Sequence, residues 1–354
     1  MKARRSVVGI ALSVGLVGAL AATAATASAS GLGTFTQVNL VSDQPGHAAL
    51  TDPNLVNAWG MSHGPTTPVW VSDNGADVTT LYRTDTPGQP VTKVALTVAI
   101  PGGVPTGQVF NDTTSFVVPG TGQPARFIFI GEDGQLSAWN SGTAAVPVNQ
   151  TPNAVYKGLA LLHGSHGPLL LAANFRDNRI DRFNGAFKRI STFGLFHDRF
   201  IPAGYAPFNI AVINGAVFVT YAKQDAARHD DVAGPGNGFI DVFSTSGRFF
   251  HRFASHGVLN SPWGMAIAPA SFGRFAGSLL VGNFGDGHIH AFSLRTGAML
   301  GALRGTSGRP LAIDGLWGLT PGYAQAGGTG TVLFTAGPDG ESHGLFGLLR
   351  PAVK

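Results

Sequence analysis

The chain has no cysteine. Disulfides, thiolate nucleophiles and cysteine-ligated metals are therefore excluded. Charged residues are scarce, 12% of the 354, so stability has to come from a large apolar core. A mature chain of about 325 residues can bury roughly 75% of its unfolded surface. A sustained helical period is missing as well: no long stretch beyond residue 30 repeats its apolar residues every 3.6 positions. What abounds is glycine, 50 residues, and proline, 22, the punctuation of many tight turns.

The first residues are not part of a fold. Lys2, Arg4 and Arg5 precede an apolar run from Val7 to Ala22, followed by small residues with an A-x-A pattern at Ala27-Ser28-Ala29. The run is shorter than the ~20 residues of a spanning helix. This is the pattern of a secretory signal peptide over residues 1–29, leaving a single domain over 30–354 and a secreted product of a bacterial cell. Arg4-Arg5 leaves both the general and the twin-arginine export routes open. The whole chain carries 23 basic and 19 acidic residues, and the signal holds three basic and none acidic, so the mature chain has 20 against 19. Such a balance gives no basic footprint for nucleic acid or an anionic membrane.

Six segments share one pattern: VWVSDNGADVTTLY (69–82), FIFIGEDGQLSAW (127–139), LLLAANFRDNRIDRF (169–183), VFVTYAKQD with GFIDVF (217–225 and 238–243), LLVGNFGDGHIHAF (279–292) and VLFTAGPDGESHGLF (332–346). Each is an apolar strand, a polar turn rich in Gly, Asn and Asp, and an alternating strand, which is a hairpin. A further strand precedes each, as in NAWGMS (57–62) and SPWGMAIAP (261–269), and another follows most. Units of three or four strands spaced roughly 42–62 residues apart fit propeller blades with inserted loops. The expected fold is an all-β, six-bladed β-propeller. FTQVNLV (35–41) is the candidate strand that joins the last blade and closes the ring, removing an exposed edge. A seventh blade would have to hide in 86–105 or 222–238, where no repeat is seen.

Several motifs are weaker than they look. Gly60-Met61-Ser62-His63-Gly64 matches G-x-S-x-G, but a nucleophile elbow needs a helix next, and Pro65 follows. His288-Ile289-His290 puts two imidazoles on one strand face without a third zinc ligand, and reads as an exposed outer-blade pair. GPGNG (234–238) has neither a Walker lysine nor a following helix. Together with KQDAARHDD (223–231) it forms a long insertion, either a solvated loop or a lid or partner-contact loop on one face. Trp59, Trp263 and Trp317 recur before glycine, with Phe110 and Phe208 in the similar place, and read as packing between blades.

The constellation that carries function is collective. In a closed ring, equivalent positions of different blades gather around one axis. The candidate ligand-binding residues at the channel mouth are Asn57, Asn111, Glu132, Lys157, Asn174, Asn209, Lys223, Asp225, Asn283 and Asp286. Their carboxylate and amide oxygens suit Ca²⁺, and a lysine beside Glu132 suits a polar or anionic ligand. The competing reading is that these groups cap turns and solvate the faces.

NLVSDQPGHAALTDPNLVNAWG (39–60), YKGLA (156–160), APFNIAV (206–212), LNSPWGMAIAPASFGRFAGSLLVGNFGDG (259–287) and TAGPDGESHGLFG (335–347) resemble an uncharacterised family of secreted bacterial six-bladed propeller proteins, over about residues 35–350. That resemblance implies the fold and no activity. GPLLLAANFRDNRIDRFNGAFKRI (167–190) is similar, more distantly, to NHL-type repeats, a group with binding modules, lactonases and lyases. The functional expectation is an exported binding module whose polar channel mouth accepts a small molecule, a glycan or an extracellular protein, with no cofactor established. The alternatives are a metal-assisted, Ca-type hydrolase or lyase using Glu132, Asn174, Asn283 and Asp286, and a structural envelope protein. Nucleic acid and a transmembrane segment after signal cleavage are not expected.

Overall fold

Short runs of Val, Ile, Leu and Phe between glycine-bearing turns pair locally, and the pairs assemble into six antiparallel blades. A computed structural model describes residues 33–84 and 89–352. The signal peptide and its cleavage point lie outside the described residues. Blade 1 is built from Ala58–Ser62, Val69–Asp73 and Val78–Arg83, with Thr92–Lys93 and Val98–Ala99 both on the outer edge. Blade 2 is Pro105–Phe110, Phe127–Gly131, Gln135–Trp139 and Val146–Gln150; blade 3 is Tyr156–Gly164, Gly167–Asn174, Arg179–Asn184 and Arg189–Ile190. Blade 4 is Tyr205–Ile213, Ala216–Lys223, Gly238–Phe243 and Phe249–Ser255; blade 5 is Pro262–Ile267, Leu279–Asn283, Ile289–Phe292 and Met299–Ala302. Blade 6 is Leu316–Pro321, Val332–Ala336 and Leu345–Pro351, and its fourth strand is Phe35–Ser42 from the other end of the chain.

That last pairing runs antiparallel from Phe35 opposite Pro351 to Ser42 opposite Leu345, as expected for ring closure. Neither segment proposed as a seventh blade is one: 92–99 edges blade 1, and the insertion at 224–237 joins two strands of blade 4. The G-x-S-x-G segment is the end of an inner strand followed by a turn, with no helix. Among the described residues no helix is long and apolar enough to cross a membrane.

Apolar side chains alternate along the strands, so both faces of each blade are buried against neighbours. Six apolar clusters result, one at each blade interface: Trp70, Phe127 and Phe129 between blades 1 and 2, for example, and Phe334, Leu280 and Ile289 between blades 5 and 6. A seventh cluster lies on the axis, formed by Trp59, Phe208, Trp263 and Trp317 with Phe175, Ala206 and Ala222.

The inner strands repeat one irregularity. Each carries a register shift at the same point, between Ala58 and Met61 in blade 1, Tyr156 and Gly158 in blade 3, and Pro262 and Gly264 in blade 5. Such bulges re-aim side chains. Next to each shift stands Gly60, Gly107, Gly158, Gly264 or Gly318, with Asn209 in blade 4. A Cβ on Gly107 would lie 2.5 Å from the Leu159 nitrogen, and one on Gly264 2.7 Å from the Trp317 carbonyl oxygen. The inner strands approach so closely that only glycine fits at the five positions it occupies.

Candidate axial site

The residue before each of these positions turns toward the axis: Trp59, Thr106, Lys157, Phe208, Trp263 and Trp317, in blades 1 to 6. Four aromatics therefore meet in the middle of the ring. Trp59 stacks on Trp317 with centroids 3.6 Å apart, and Phe284 stacks on the other side of Trp317 at 3.8 Å. Trp263 meets Trp59 edge-on at 6.4 Å and donates its indole N–H to the Lys157 carbonyl, 3.0 Å away in blade 3. Contacts between non-adjacent blades cross the axis, so these rings plug it. Phe110, grouped with them from sequence, sits instead four residues farther along its strand, against Phe127 between blades 1 and 2. The packing role expected for the tryptophans is what they perform, on the axis rather than only between neighbours.

On the face where the inner strands begin, the upper face, Lys157 is buried to 2% exposure with its ammonium 5.1 Å from the Trp59 ring centroid. It is ion-paired to Glu132 at short range and to Asp230 at 3.1 Å. Burial works against its charge, and the two carboxylates overcome that and raise its pKa. The network continues around the axis. Asn74 donates to Glu132 (3.2 Å), and Asn57 donates to Asn74 (3.1 Å) and to Glu341 (2.7 Å). Trp317 donates to the Asn57 side-chain oxygen at 3.0 Å. Asn57 can serve in this corner because asparagine tolerates the left-handed backbone found there, φ 47°. Burial pushes the pKa of Glu341 up, and that of Asp231 likewise.

The insertion of blade 4 supplies the rest. Its Asp225 carboxylate accepts the backbone N–H groups of His229 (2.8 Å) and Asp230 (3.3 Å). Gln224 donates to the Phe175 carbonyl at 2.6 Å and Arg176 to the Ala227 carbonyl at 3.3 Å, tying the loop over the mouth. Asp230, exposed on its outer side, reaches in to Lys157, which offsets its burial and lowers its pKa. Glu132, His229 and Asp230 bring ligand atoms within 4.8 Å of one another, a spacing compatible with a metal ion. The Lys157 ammonium, however, already bridges the two carboxylates.

No family model matches the chain. It is 33% identical over 324 residues to the uncharacterised protein R648 of Acanthamoeba polyphaga mimivirus, covering 87% of this chain and 78% of that one. A second mimivirus protein, the uncharacterised L690, is 33% identical over 329 residues, 88% and 84% of the two chains. The chain belongs to their family. Among solved structures it is similar to a protein of unknown function from Bacteroides thetaiotaomicron, with a TM-score of 0.55 at 12% identity over 89% of this chain and 75% of that one. A glucose dehydrogenase gives 0.54 at 12% identity over 90% and 100%. These likenesses establish the propeller fold alone.

In this family member the ten residues proposed from sequence do not share one mouth. Asn57, Glu132 and Lys157 converge as described, and Asp225 supports them through the insertion. Asn209 lies on the axis below the plug, donating to the Trp263 carbonyl at 2.7 Å in place of a glycine. Asn111 is at the opposite end of its inner strand, where it holds the loop at 113–125 by donating to the Thr113, Ser115 and Ala125 carbonyls. Asn174 and Asn283 miss the axis by one residue: strand alternation turns Phe175 and Phe284 inward and sends the asparagines into the blades. Asn174 donates to Asp181 at 2.8 Å beside Tyr156, and Asn283 donates to the Val258 carbonyl and to Asp286. Asp286 shapes its own turn with Asn260 and His288, and Lys223 is exposed at the foot of the insertion. The His288–His290 pair is not an exposed outer-blade pair, since His290 is buried in the third strand and its pKa is lowered by burial.

Asn74, one of the polar turn residues expected near the channel mouth though not among the ten, joins the site, and His229, Asp230 and Glu341 complete it without having been singled out. Asn74 and Glu341 lie in turns equivalent to that of Glu132, a signal present in the repeat. Nothing local in the insertion distinguished Asp230 from its acidic neighbours.

Proposed function

We propose that the protein is an exported binding propeller that takes a small hydroxyl-rich or amine-bearing ligand, such as a neutral or amino sugar, at the upper mouth. The observation that supports this is the chain of buried and half-buried side chains from Glu341 through Asn57, Asn74 and Glu132 to Lys157, contributed by blades 6, 1, 2 and 3. Polar groups this well fixed are expensive to bury and useful for orienting a ligand. Glu132, Asp230, Asp231 and Glu341 outnumber the one lysine, which favours hydroxyl donors and cations over anions. The partly exposed Phe284 ring adds an apolar face beside them. Export rests on the pattern of residues 1–29, and the mature N-terminus of protein recovered from the medium of a bacterial host is expected at Ser30 by mass spectrometry.

A second reading is metal-assisted hydrolysis or elimination at Glu132, His229 and Asp230, favoured by their spacing. Ca²⁺ is the ion most compatible with the oxygen ligands. One experiment separates the two. Mature protein is titrated calorimetrically with a panel of neutral and amino oligosaccharides, and in parallel with CaCl₂ after EDTA treatment. Saturable binding of a saccharide, weakened about tenfold in Glu341→Gln, is the expected result. No saturable binding across the panel, or binding indifferent to Glu341→Gln, refutes the reading. Stoichiometric Ca²⁺ binding favours the metal alternative.

A further inference from the structure

Three aromatic rings stand in water. Among the described residues every tryptophan and tyrosine is buried or half-buried, and of the phenylalanines only Phe193, Phe200 and Phe250 are exposed, by 97%, 68% and 47%. All three lie on the outer edge where blade 3 passes to blade 4. The connection over residues 191–204 is fastened to blade 4 there. Phe196 donates its N–H to the Gly247 carbonyl at 2.7 Å, and Arg252 of the outer strand is ion-paired to Asp198. Each exposed ring is within three residues of a member of this fastening.

Local backbone turns the rings outward. Phe193 holds the second place of a β-turn closed from the Leu195 N–H to the Thr192 carbonyl (2.9 Å), with Gly194 after it at φ 71°, so its ring stands at the tip. Phe250 is the extra residue of a bulge: Phe249 pairs with Phe243 and His251 with Val242, and Phe250 has no partner of its own. Arginines attend the other two rings, Arg199 at 4.7 Å from the Phe200 centroid and Arg248 at 5.5 Å from that of Phe250.

Charge is sorted by depth at the same edge. Segments 186–200 and 244–252 hold five basic residues and one acidic, Asp198. Asp198 is buried beneath Arg252, whereas Lys188, Arg189, Arg199 and Arg248 are exposed. Beyond residue 29 the chain has 20 basic and 19 acidic residues, so the remainder has 15 against 18. The near-neutral whole conceals a cationic edge. A cleft of about 540 Å³ runs beside Phe193, lined by Arg179, Arg189 and Ser191 among others. Arg189 approaches Asp181 only to 3.7 Å, which leaves guanidinium donors for an anion.

We propose that this edge docks on a membrane surface carrying anionic phospholipid. The Phe193 tip enters the boundary between headgroups and acyl chains, and Arg189, Arg199 and Arg248 meet the phosphates. Exposed aromatics beside cations, with the acidic group buried, match that surface in both polarity and charge. A second copy of the chain would set four exposed cations against four. A nucleic acid would call for rings lining a groove, whereas Phe193 stands on a protruding turn. The docking edge is separate from the upper mouth and does not depend on what binds there.

Protein lacking residues 1–29 is sedimented with phosphatidylcholine vesicles, with and without phosphatidylglycerol at about one lipid in three. Binding only to the anionic vesicles, weakened by 0.5 M NaCl, is expected. Phe193→Ser should lower the partition constant about tenfold, and Arg199→Gln and Arg248→Gln about fivefold each. All three positions are exposed, so the unfolding midpoint should not move. Arg309→Gln, in the turn before blade 6, should bind like the unaltered protein. Depth is read in Phe193→Trp with brominated lipid. The five native tryptophans are buried, so quenching reports position 193, and soluble glycerophosphate should produce none. Absence of vesicle binding, equal binding to neutral vesicles, or binding indifferent to Phe193→Ser would overturn the proposal. So would an unquenched Phe193→Trp, or tighter binding to a single-stranded oligonucleotide than to the vesicles.

Discussion

Replacing Lys157 by Met keeps the aliphatic stem and deletes the charge, which isolates what the ammonium does. Its two carboxylate partners are not alike. Glu132 is 10% exposed and would keep only Asn74 as a donor, whereas Asp230 is 65% exposed and can turn to water. Removing one partner of a buried pair costs about 3–5 kcal/mol, while an exposed partner contributes about 0–1 kcal/mol. The expected losses in urea denaturation at pH 7 with EDTA present are therefore about 3–5 kcal/mol for Lys157→Met and under about 1 kcal/mol for Asp230→Asn. Lys157→Met combined with Glu132→Gln should recover more than half of the loss, because no uncompensated carboxylate is left. The raised lysine pKa adds a pH signature. Its contribution is complete below the unfolded-chain value of about 10.4 and fades as pH rises through the higher folded value, so the alkaline limb of the stability profile should flatten in Lys157→Met. A loss below about 1 kcal/mol, or equal coupling of Lys157 to Asp230 and to Glu132 in double-mutant cycles, would refute the reasoning.

Three further outcomes follow from the same geometry. In Lys157→Met, Glu132, His229 and Asp230 surround the space the ammonium held, so millimolar Ca²⁺ should restore part of the lost stability, while neither Ca²⁺ nor EDTA should shift the midpoint of the unaltered protein. Gly107→Ala puts a methyl 2.5 Å from the Leu159 nitrogen and should cost about 3 kcal/mol or more, or prevent soluble expression; Gly46→Ala, in open space but at φ 81°, should cost only about 1 kcal/mol by the same denaturation assay. Asp73 is fully buried, and burial pushes its pKa well up, so the folded state keeps this proton to higher pH than the unfolded chain does. Its contribution is whole below about pH 3.9 and declines as pH rises toward the folded value; Asp73→Asn should therefore be more stable at pH 7 by about 1–3 kcal/mol, with the gap closing near pH 4.

Repetition made the fold legible. Hairpins recurring along the chain, each with a preceding strand, specify blades because alternation and turn chemistry are local properties. The ring-closing pairing of 35–41 could also be inferred, since the last hairpin left an edge to cover. The functional residues were harder to place because a shift of one position sends a strand side chain to the other face. Asn174 and Asn283 look like axis ligands in the turns, yet Phe175 and Phe284 hold the inward positions. The bulges that aim Trp59, Lys157 and Trp263 inward show only as a residue before a glycine.

What the amino-acid order determined by itself is the set of blades, their number and the turns between them. Those depend on neighbours within about ten residues. Tertiary structure alone decided that the axis is closed by aromatics, that Asp230 folds back onto a lysine 73 residues away, and that a small bore lies beneath the plug. Each of these depends on which side chains from different blades reach the same few ångströms of the axis, a distance that only ring closure sets.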